Sequence, residues 1–297
     1  MRFRAGIGVM LGSQREGYTA APLEAPGGDA TAMAKEVERA TDEQIRRAAE
    51  MLLAARYAIA LTGAGMSVES GIPPFRGPGG LWTKYGEPPM NGYQIFLADP
   101  KKGWEERIKR QDDELFAPLK IAKPNPGHYA FAEMEQMGVL RFLITQNVDD
   151  LHRQAGHRAL AEIHGNWKLI RCLQCGTRFQ AREISLEVLP PPCPKCSGML
   201  KADTVAFGEP IPPDALRECA EHSARADLVI LGGTSATVYP AAGFAIEVKE
   251  RGGSLIEVNL YESEITQLCD LSLRGGSADV LPRLTRTISE LRRARLS

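Results

Sequence analysis

Four of the six cysteines fall in one short stretch as two C-x-x-C pairs, Cys172 with Cys175 and Cys193 with Cys196. A C-x-x-C turn places two thiolates on one side of a metal, and two such turns complete the tetrahedral sulfur cage that Zn²⁺ prefers. Two disulfides or an iron–sulfur cluster are the alternatives, and the spacing favours zinc over both. Because four sulfur ligands leave no coordination position open, we expect a structural zinc ion that does no chemistry.

A glycine-rich turn follows a continuous apolar run. The run leads directly into Gly63, Ala64 and Gly65, with Ser67 close behind. A strand, a glycine turn and a helix start together present backbone N–H groups to a phosphate. The dinucleotide fingerprint G-x-G-x-x-G is incomplete, because Val68 stands where the third glycine belongs. The turn alone fits either nucleotide binding or a simple tight turn.

The chain that continues from this turn is too rich in Gly and Pro to form an ordinary helix up to Trp82. Such a stretch predicts a long loop held over a ligand. Phe75 and Arg76 would serve in it as an aromatic lid and a fixed cation.

Polar residues follow two later apolar runs, where parallel strands would end. Side chains at such ends line the ligand crevice of an open α/β sheet, and a hydroxyl pair after a glycine suits contacts with phosphate or ribose. Any one of them alone would also fit a polar loop cap. The residues concerned are Gln146, Asn147, Asp149, Gly233, Thr234 and Ser235.

Continuous apolar runs predict the buried strands of a parallel sheet that is covered on both faces. Helical patterns lie between several of them, and a capping box at Thr41 and Gln44 starts an earlier helix that ends near Ala55. This alternation predicts an open, doubly wound α/β sheet. The predicted strands are Tyr57–Leu61, Leu140–Thr145, Thr204–Phe207, Leu228–Leu231 and Leu255–Val258, and the helices between them are Pro126–Gln136, Pro213–His222 and Ala241–Lys249.

Two segments interrupt the alternation, the charged, helix-prone residues 85–123 and the cysteine-bearing residues 171–200. We expect them to pack together as a smaller domain. Residues 1–40 lack periodicity and predict a flexible N-terminal extension. The remaining ranges, predicted to form the large domain, are 41–84, 124–170 and 201–297.

Composition limits the classes of function. The 297 residues contain 36 Lys and Arg against 37 Asp and Glu, a net charge of −1. Direct nucleic-acid binding is therefore not expected. The N-terminus lacks the continuous apolar run of a secretory signal, and no charge-free apolar segment of roughly 18 residues occurs. We expect a soluble, cytoplasmic protein with no membrane partner.

The chain resembles the sirtuin family, the NAD-dependent protein lysine deacylases, in its bacterial and archaeal form. The resemblance extends over residues 45–285 in the family's order and implies a Rossmann-like large domain and a smaller zinc-ribbon plus helical domain. The matching pieces are GAGMSVESGIPPFRG (63–77), TQNVDDLH (145–152), IHGN (163–166), the four cysteines, VAFGEPIP (205–212), GGTSATVYP (232–240) and VNLY (258–261).

The resemblance also implies roles for single residues. His164 would be the general base that acts on the cofactor ribose, with Asn147 as a second catalytic residue. Asn147 and Asp149 would place the nicotinamide and its ribose, Asn259 the adenosine ribose and Ala278 the adenine. The remaining residues expected to bind NAD are Gly63, Ala64, Gly65, Ser67, Phe75, Arg76, Gln146, Gly233, Thr234 and Ser235.

The partner implied by the resemblance is an acylated-lysine peptide or protein. Its backbone would add as a strand between two segments of the chain, one with Gly208 and Glu209 and the other with Val238 and Tyr239. An apolar tunnel for the acyl-lysine stem would be formed by Val205, Phe207, Phe75 and Val238, although Val205 equally fits a plain core position.

The implied reaction uses NAD to free the lysine, with nicotinamide and O-acyl-ADP-ribose as the other products. An ADP-ribosyltransferase or NAD hydrolase on the same fold is the alternative enzyme, and a zinc-ribbon adaptor is the non-enzymatic one. Sirtuins usually have Asp where Pro74 stands. Those that remove succinyl or malonyl groups carry a Tyr-x-x-Arg pair, whereas this chain has Trp104 three residues before Arg107. We therefore expect neutral acyl groups, acetyl first.

Overall fold

The computed structural model describes residues 39–296 except 78, 111, 112, 114 and 115. The N-terminal extension predicted over 1–40 lies outside the described residues, apart from its last two. The first helix, α1 (Asp42–Ala54), begins at the predicted capping box. Thr41 Oγ1 accepts a hydrogen bond from the Gln44 amide at 3.2 Å, and Gln44 Oε1 accepts one from the Thr41 amide at 2.9 Å.

The strands of the described residues form two separate sheets. In chain order they are β1 (Ala58–Thr62), β2 (Leu140–Thr145), β3 (Leu160–Glu162), β4 (Leu169–Cys172), β5 (Arg178–Gln180), β6 (Leu200–Ala202), β7 (Leu228–Gly232), β8 (Ser254–Asn259) and β9 (Leu271–Arg274). The larger sheet has six strands, all parallel, in the order β3-β2-β1-β7-β8-β9, and the smaller is antiparallel in the order β5-β4-β6.

Helices cover both faces of the larger sheet. The helices after α1 are α2 (Leu81–Tyr85), α3 (Gly92–Ala98), α4 (Pro100–Arg110), α5 (Ala117–Ile121), α6 (Pro126–Gln136), α7 (Leu151–Gln154), α8 (Pro213–Arg225), α9 (Ala241–Glu250) and α10 (Ser277–Leu296). Alternate residues of β1 point to opposite sides, so that Ala58 and Ala60 join the core under α1, α6 and α10, whereas Ile59 and Leu61 join the core under α8 and α9. This explains why β1 is apolar at each of these four positions.

The smaller sheet carries the four cysteines and packs against the inserted helices. Its core is built around Trp104 of α4, which is 2% exposed and donates its indole N–H to the Leu200 carbonyl at 3.0 Å. β4 begins at Leu169 and β6 ends at Ala202, so the sheet extends slightly beyond the predicted 171–200 segment at both ends.

One strand prediction is wrong. The apolar run Thr204–Phe207 forms no strand and lies in the connection between β6 and α8. Its amides bond outside any sheet: the Val205 amide donates to the His164 carbonyl at 2.9 Å. Two strands of the larger sheet, β3 and β9, were not predicted, because both are short and only partly apolar.

The fold class predicted from the sequence is confirmed: a doubly wound, Rossmann-like parallel sheet accompanies a smaller cysteine-bearing sheet and helices. The domain boundaries themselves stay a prediction. Among the described residues, every helix is too short or too polar to cross a membrane.

Candidate active site

The carboxyl ends of four neighbouring strands meet at one edge of the larger sheet. Thr62 of β1 pairs in register with Thr145 of β2 and with Gly232 of β7, and Gly232 pairs with Val258 of β8. Parallel strands in register bring the loops that follow them together. The glycine turn and the polar strand ends predicted from the sequence therefore share this edge.

The glycines of the turn allow two loops to touch. The Gly65 amide donates to the Gly233 carbonyl at 2.8 Å, and a Cβ added at Gly65 would lie 2.9 Å from the Gly233 Cα. Gly233 itself has a φ of +55°, a conformation that favours glycine. After the turn the chain forms a short 3-10 helix, Ala64–Ser70, which carries Ser67 into the site.

Three buried polar side chains form one hydrogen-bonded group behind the turn. Ser67 donates its hydroxyl to Asp149 Oδ2 at 2.6 Å, and Asn147 Nδ2 donates to the Gly63 carbonyl at 3.0 Å and to Ser67 Oγ at 3.1 Å. Burial raises the pKa of Asp149, while the Ser67 hydrogen bond opposes that rise. The three residues predicted to bind the cofactor therefore lie together, and their role stays a prediction.

His164 stands just beyond β3 and faces the same edge. Its Nδ1 lies 3.1 Å from the Gln146 carbonyl. A carbonyl oxygen can only accept, so Nδ1 carries the proton and Nε2 keeps a free lone pair. Burial lowers the pKa of His164 below its usual 6.5, which keeps the ring neutral. A neutral imidazole with a free Nε2 is the form that a general base requires.

The next residue fixes the direction of the chain. Gly165 has a φ of +80°, and a Cβ added there would fall 1.5 Å from the Asp203 carbonyl oxygen. Only glycine fits between the histidine and the connection that follows β6, so Gly165 allows the backbone next to His164 to lie against that connection.

The loops after β7 and β8 form the part of the edge where the resemblance places the adenosine. Asn259 Nδ2 donates to the Thr234 carbonyl at 2.9 Å, and Gln146 Nε2 donates to Thr234 Oγ1 at 2.9 Å. Ser235 Oγ lies 2.9 Å from Thr237 Oγ1. Farther along the edge, the Ala278 amide at the start of α10 donates to Glu69 Oε2 at 2.7 Å, so Ala278 is tied to the 3-10 helix.

The predicted lid residues are both accessible and are joined by an aromatic residue that the sequence analysis did not assign to the site. Arg76 donates to Thr237 Oγ1 at 2.8 Å, and its guanidinium lies 4.3 Å from the Trp82 ring centre. The Trp82 ring is 5.3 Å from that of Phe75 and 5.8 Å from that of Phe207. Trp82 therefore links the lid to one of the expected substrate segments.

The two segments expected to flank a peptide differ in how they are held. The Phe207 carbonyl accepts from the Tyr93 amide at 3.0 Å, and the Gly208 carbonyl accepts from Gln94 Nε2 at 3.3 Å. In the opposite segment Tyr239 is 66% exposed and Val238 is half-buried. The Glu209 side chain is buried among cations and is therefore not available to a peptide.

The four predicted metal ligands converge. All four thiols are free of disulfides, and their sulfur atoms lie within 4.8 Å of one another. Cys172 Sγ is 3.5 Å from Cys196 Sγ, and Cys175 Sγ is 3.9 Å from Cys193 Sγ. Four convergent thiols fit a tetrahedral sulfur site, so the donor set suits a structural Zn²⁺ ion.

Comparison with known proteins identifies the family. The model of the Sir2 family matches residues 63–240. The chain belongs to the Sir2 family. An "NAD-dependent protein deacylase" of Thermococcus kodakarensis is 46% identical over 250 residues, which cover 82% of this chain and 95% of that protein. "NAD-dependent protein deacylase 1" of Archaeoglobus fulgidus is 44% identical and covers 78% of this chain and 93% of its own.

Solved structures of the Sir2 family share the fold. A "Sir2 homolog-NAD complex" aligns with a TM-score of 0.70 at 42% identity, covering 82% of this chain and 94% of that one. A "Sir2-p53 peptide-NAD+" complex aligns with a TM-score of 0.67 at 31% identity, covering 85% and 99%. The predicted resemblance to the sirtuins is confirmed.

Behind the Sir2 site lies a group of buried histidines. His128 Nε2 lies 3.5 Å from Ser67 Oγ, and His152 Nε2 lies 3.1 Å from Thr62 Oγ1. The rings of these two histidines are 4.8 Å apart. Burial lowers the pKa of His128 to about 4 and that of His152 well below its usual value. Both rings are therefore neutral supports of the site.

Proposed function

We propose that this protein is an NAD-dependent protein-lysine deacetylase that releases free lysine, nicotinamide and O-acyl-ADP-ribose. The observation that carries the proposal is the neutral imidazole of His164 beside the Ser67, Asn147 and Asp149 group at the edge of the sheet. Relatives at 40–46% identity with the names of NAD-dependent protein deacylases or deacetylases support the same activity.

The residues at the edge suit a dinucleotide. Amide, hydroxyl and carboxylate groups at Asn147, Ser67 and Asp149 match a carboxamide and a ribose in hydrogen-bonding character. We assign the remaining contacts, on the same reasoning, to the glycine turn, the lid and the adenosine side of the site. These residues are Gly63, Ala64, Gly65, Phe75, Arg76, Gln146, Gly233, Thr234, Ser235, Asn259 and Ala278.

His164 is the general base in this proposal. When bound, NAD supplies the acyl acceptor, because its ADP-ribose part takes the acyl group as nicotinamide leaves. The lone pair on His164 Nε2 takes the proton of a ribose hydroxyl, and the Gln146 carbonyl holds the opposite nitrogen as the charge forms. Asn147 orients the cofactor at the same edge. The lid of Phe75 and Trp82 keeps water from the reacting carbon.

The acyl-lysine substrate is proposed to bind between two segments, residues 204–209 and residues 237–239. Main-chain hydrogen bonds to an added strand give affinity with little dependence on sequence. Phe207 and Val238, with Phe75 and Val205, are proposed to surround the lysine stem. Residues 204–209 are called the substrate segment below.

Neutral acyl groups are proposed as the preferred cargo. Trp104 stands where acidic-acyl sirtuins have tyrosine, and its indole N–H is bonded to the Leu200 carbonyl. The Arg107 guanidinium donates to the Trp167 carbonyl at 3.2 Å. Neither group is arranged as a bidentate carboxylate site, so an acetyl-lysine peptide should react faster than a succinyl-lysine peptide. Four clustered cysteines that are free of disulfides also support a cytoplasmic location.

Mass spectrometry of an acetyl-lysine peptide incubated with NAD tests the proposal. With the wild-type protein the mass of the peptide should fall by the difference between an acetyl group and a hydrogen atom, and only when NAD is present. His164→Ala should lose at least about 100-fold in rate, since it removes the base. His222→Gln, a histidine that pairs with Tyr57 on the other side of the sheet, serves as the matched control. Equal conversion by wild type and His164→Ala would contradict the role of His164.

A further inference from the structure

Charged side chains are buried under the substrate segment. Their side chains are exposed by 10% at Arg171, 7% at Lys201, 1% at Asp203 and 2% at Glu209. Burial of four charges is costly unless each finds a partner. The two cations and two anions balance, and every one of them is paired.

Glu209 is the centre of this group. Its Oε1 accepts from Arg171 Nη2 at 2.6 Å, and its Oε2 lies 2.8 Å from Lys201 Nζ. The same Oε2 accepts from the Ala206 amide at 2.9 Å, and the Glu209 amide donates back to the Ala206 carbonyl at 3.0 Å. One carboxylate thus closes a turn inside the substrate segment and ties that turn to the smaller sheet.

Lys201 holds the beginning of the same segment. Its ammonium group donates to the Thr204 carbonyl at 2.7 Å and to the Ala202 carbonyl at 3.1 Å. Asp203 Oδ1 accepts a hydrogen bond from Arg171 Nε at 2.8 Å. The backbone carbonyl oxygen of Asp203 lies against Gly165, beside His164. The backbone of the substrate segment is therefore fixed at several points by charged side chains and not by strand pairing.

Apolar residues of similar volume would satisfy burial as well or better than ion pairs. What charged groups add is direction, because each hydrogen bond fixes a particular backbone atom. Here the fixed atoms belong to the segment that, in the proposed function, pairs with the peptide backbone.

We propose that Glu209 is a positioning residue for the acyl-lysine peptide: with Lys201 it holds the substrate segment in the conformation that a peptide strand can join. This inference rests on the proposed function and gives the Glu209 side chain a role that the resemblance, which places only the backbone of its segment beside the peptide, does not assign. Because Arg171 directly precedes Cys172, the same contacts connect the segment to the metal-bearing sheet.

Steady-state kinetics with acetyl-lysine peptide and NAD test the inference. Glu209→Gln should raise the KM for the peptide on the order of tenfold, since it weakens charge-assisted bonds to the segment. The KM for NAD, the kcat and the zinc content should stay within about twofold, because Glu209 contacts neither the residues proposed to bind NAD nor the four cysteines. Asp214→Asn is the matched control: this carboxylate is 57% exposed and pairs only with Arg178 at the rim of the group. It should leave every constant unchanged.

The double variant Lys201→Met/Glu209→Met distinguishes a loss of positioning from the destabilisation caused by a buried charge without its partner. It removes one cation and one anion, so it should fold and bind zinc while the peptide KM stays raised. A peptide KM equal to that of the wild type, in Glu209→Gln or in the double variant, would overturn the inference. So would an equal rise in the KM for peptide and for NAD.

Hydrogen exchange reads the positioning without any catalysis. In Glu209→Gln the amides of Ala206 and Glu209 should exchange at least about tenfold faster than in the wild type, while amides of the larger sheet keep their rates. Unchanged exchange at Ala206 would overturn the inference. An inactive wild-type protein, by contrast, would contradict the proposed function and leave the exchange result to decide the positioning role.

Discussion

The two sheets of this Sir2 protein are held together by different forces. The larger sheet buries apolar clusters on both faces, with helices packed on each. The smaller sheet has strands of only three or four residues, and two of the five buried residues of its core are the metal cysteines Cys172 and Cys193. It depends on a metal and on buried ion pairs where the larger sheet depends on apolar area.

The two sheets also carry different parts of the proposed site. The edge of the larger sheet carries the groups proposed to bind NAD and to act on it, namely the Ser67, Asn147 and Asp149 group and the imidazole of His164. The smaller sheet carries the segment expected to receive a peptide. Because the smaller sheet has little apolar core, we expect that it can unfold while the NAD site proposed at the edge of the larger sheet stays folded. We expect this separation of the two sheets to hold in each of the following experiments.

Removal of zinc should have the largest effect. Structural Zn²⁺ contributes on the order of 10 kcal/mol to the folding of small metal-bound domains. Treatment with a strong chelator should therefore unfold the smaller sheet and abolish deacetylation. Hydrogen exchange should show lost protection at β4 and β6 with protection kept at β1 and β7. Loss of protection in both sheets together would contradict the separation.

Phe131→Ala should act on the larger sheet alone. Phe131 is fully buried between α6 and the strands, and its truncation should lower the free energy of unfolding by about 3–5 kcal/mol. Urea denaturation monitored by circular dichroism measures this change. The zinc content of the folded variant should match that of the wild type, and a variant that loses its zinc while still folded would show that the sheets are coupled.

Acid should destabilise the larger sheet through His128. Its pKa is about 4 in the folded protein because the ring is buried, against a usual value of 6.5. Above pH 6.5 the ring is neutral in both states; between 6.5 and 4 only the unfolded chain takes up the proton. The free energy of unfolding should therefore fall by about 3 kcal/mol over this range from His128 alone. Denaturation midpoints against pH should flatten in His128→Gln, and an unchanged slope would contradict the assignment.

Trp104→Phe should give the smallest effect and confine it to the smaller sheet. The substitution keeps most of the apolar volume but leaves the Leu200 carbonyl without its indole donor. Loss of one such bond costs about 1–3 kcal/mol when the acceptor stays buried. The rate of zinc transfer to a chromogenic chelator should rise, while the global urea midpoint should not move.

The parts of the fold that follow local rules could be predicted from the sequence. A strand that is covered on both faces is apolar at successive positions, so β1 and β7 could be predicted from continuous apolar runs. β2 and β8 could be predicted in the same way, although each contains one charged residue, Arg141 and Glu257. The Asn125 cap and Pro126 place the start of α6 at the predicted residue. The spacing of the two cysteine pairs was sufficient to predict the metal site.

The errors lie where contacts distant in sequence decide the structure. Thr204–Phe207 is as apolar as a strand, yet Glu209, Lys201 and the His164 carbonyl fix its backbone outside any sheet. Arg171 and Glu209 are 38 residues apart, so no local pattern reveals their ion pair. Trp82 was not assigned to the site for the same reason, since its partners Phe75 and Phe207 come together only in the fold.

The edge of the larger sheet is proposed to couple NAD cleavage to acyl transfer from lysine. The direct test is to count nicotinamide and free lysine peptide in one reaction, with and without the acetylated peptide. We predict one nicotinamide released for each lysine freed, and almost none when the peptide is absent or not acetylated. Nicotinamide release at the same rate without acetylated peptide would contradict this coupling and indicate an NAD hydrolase.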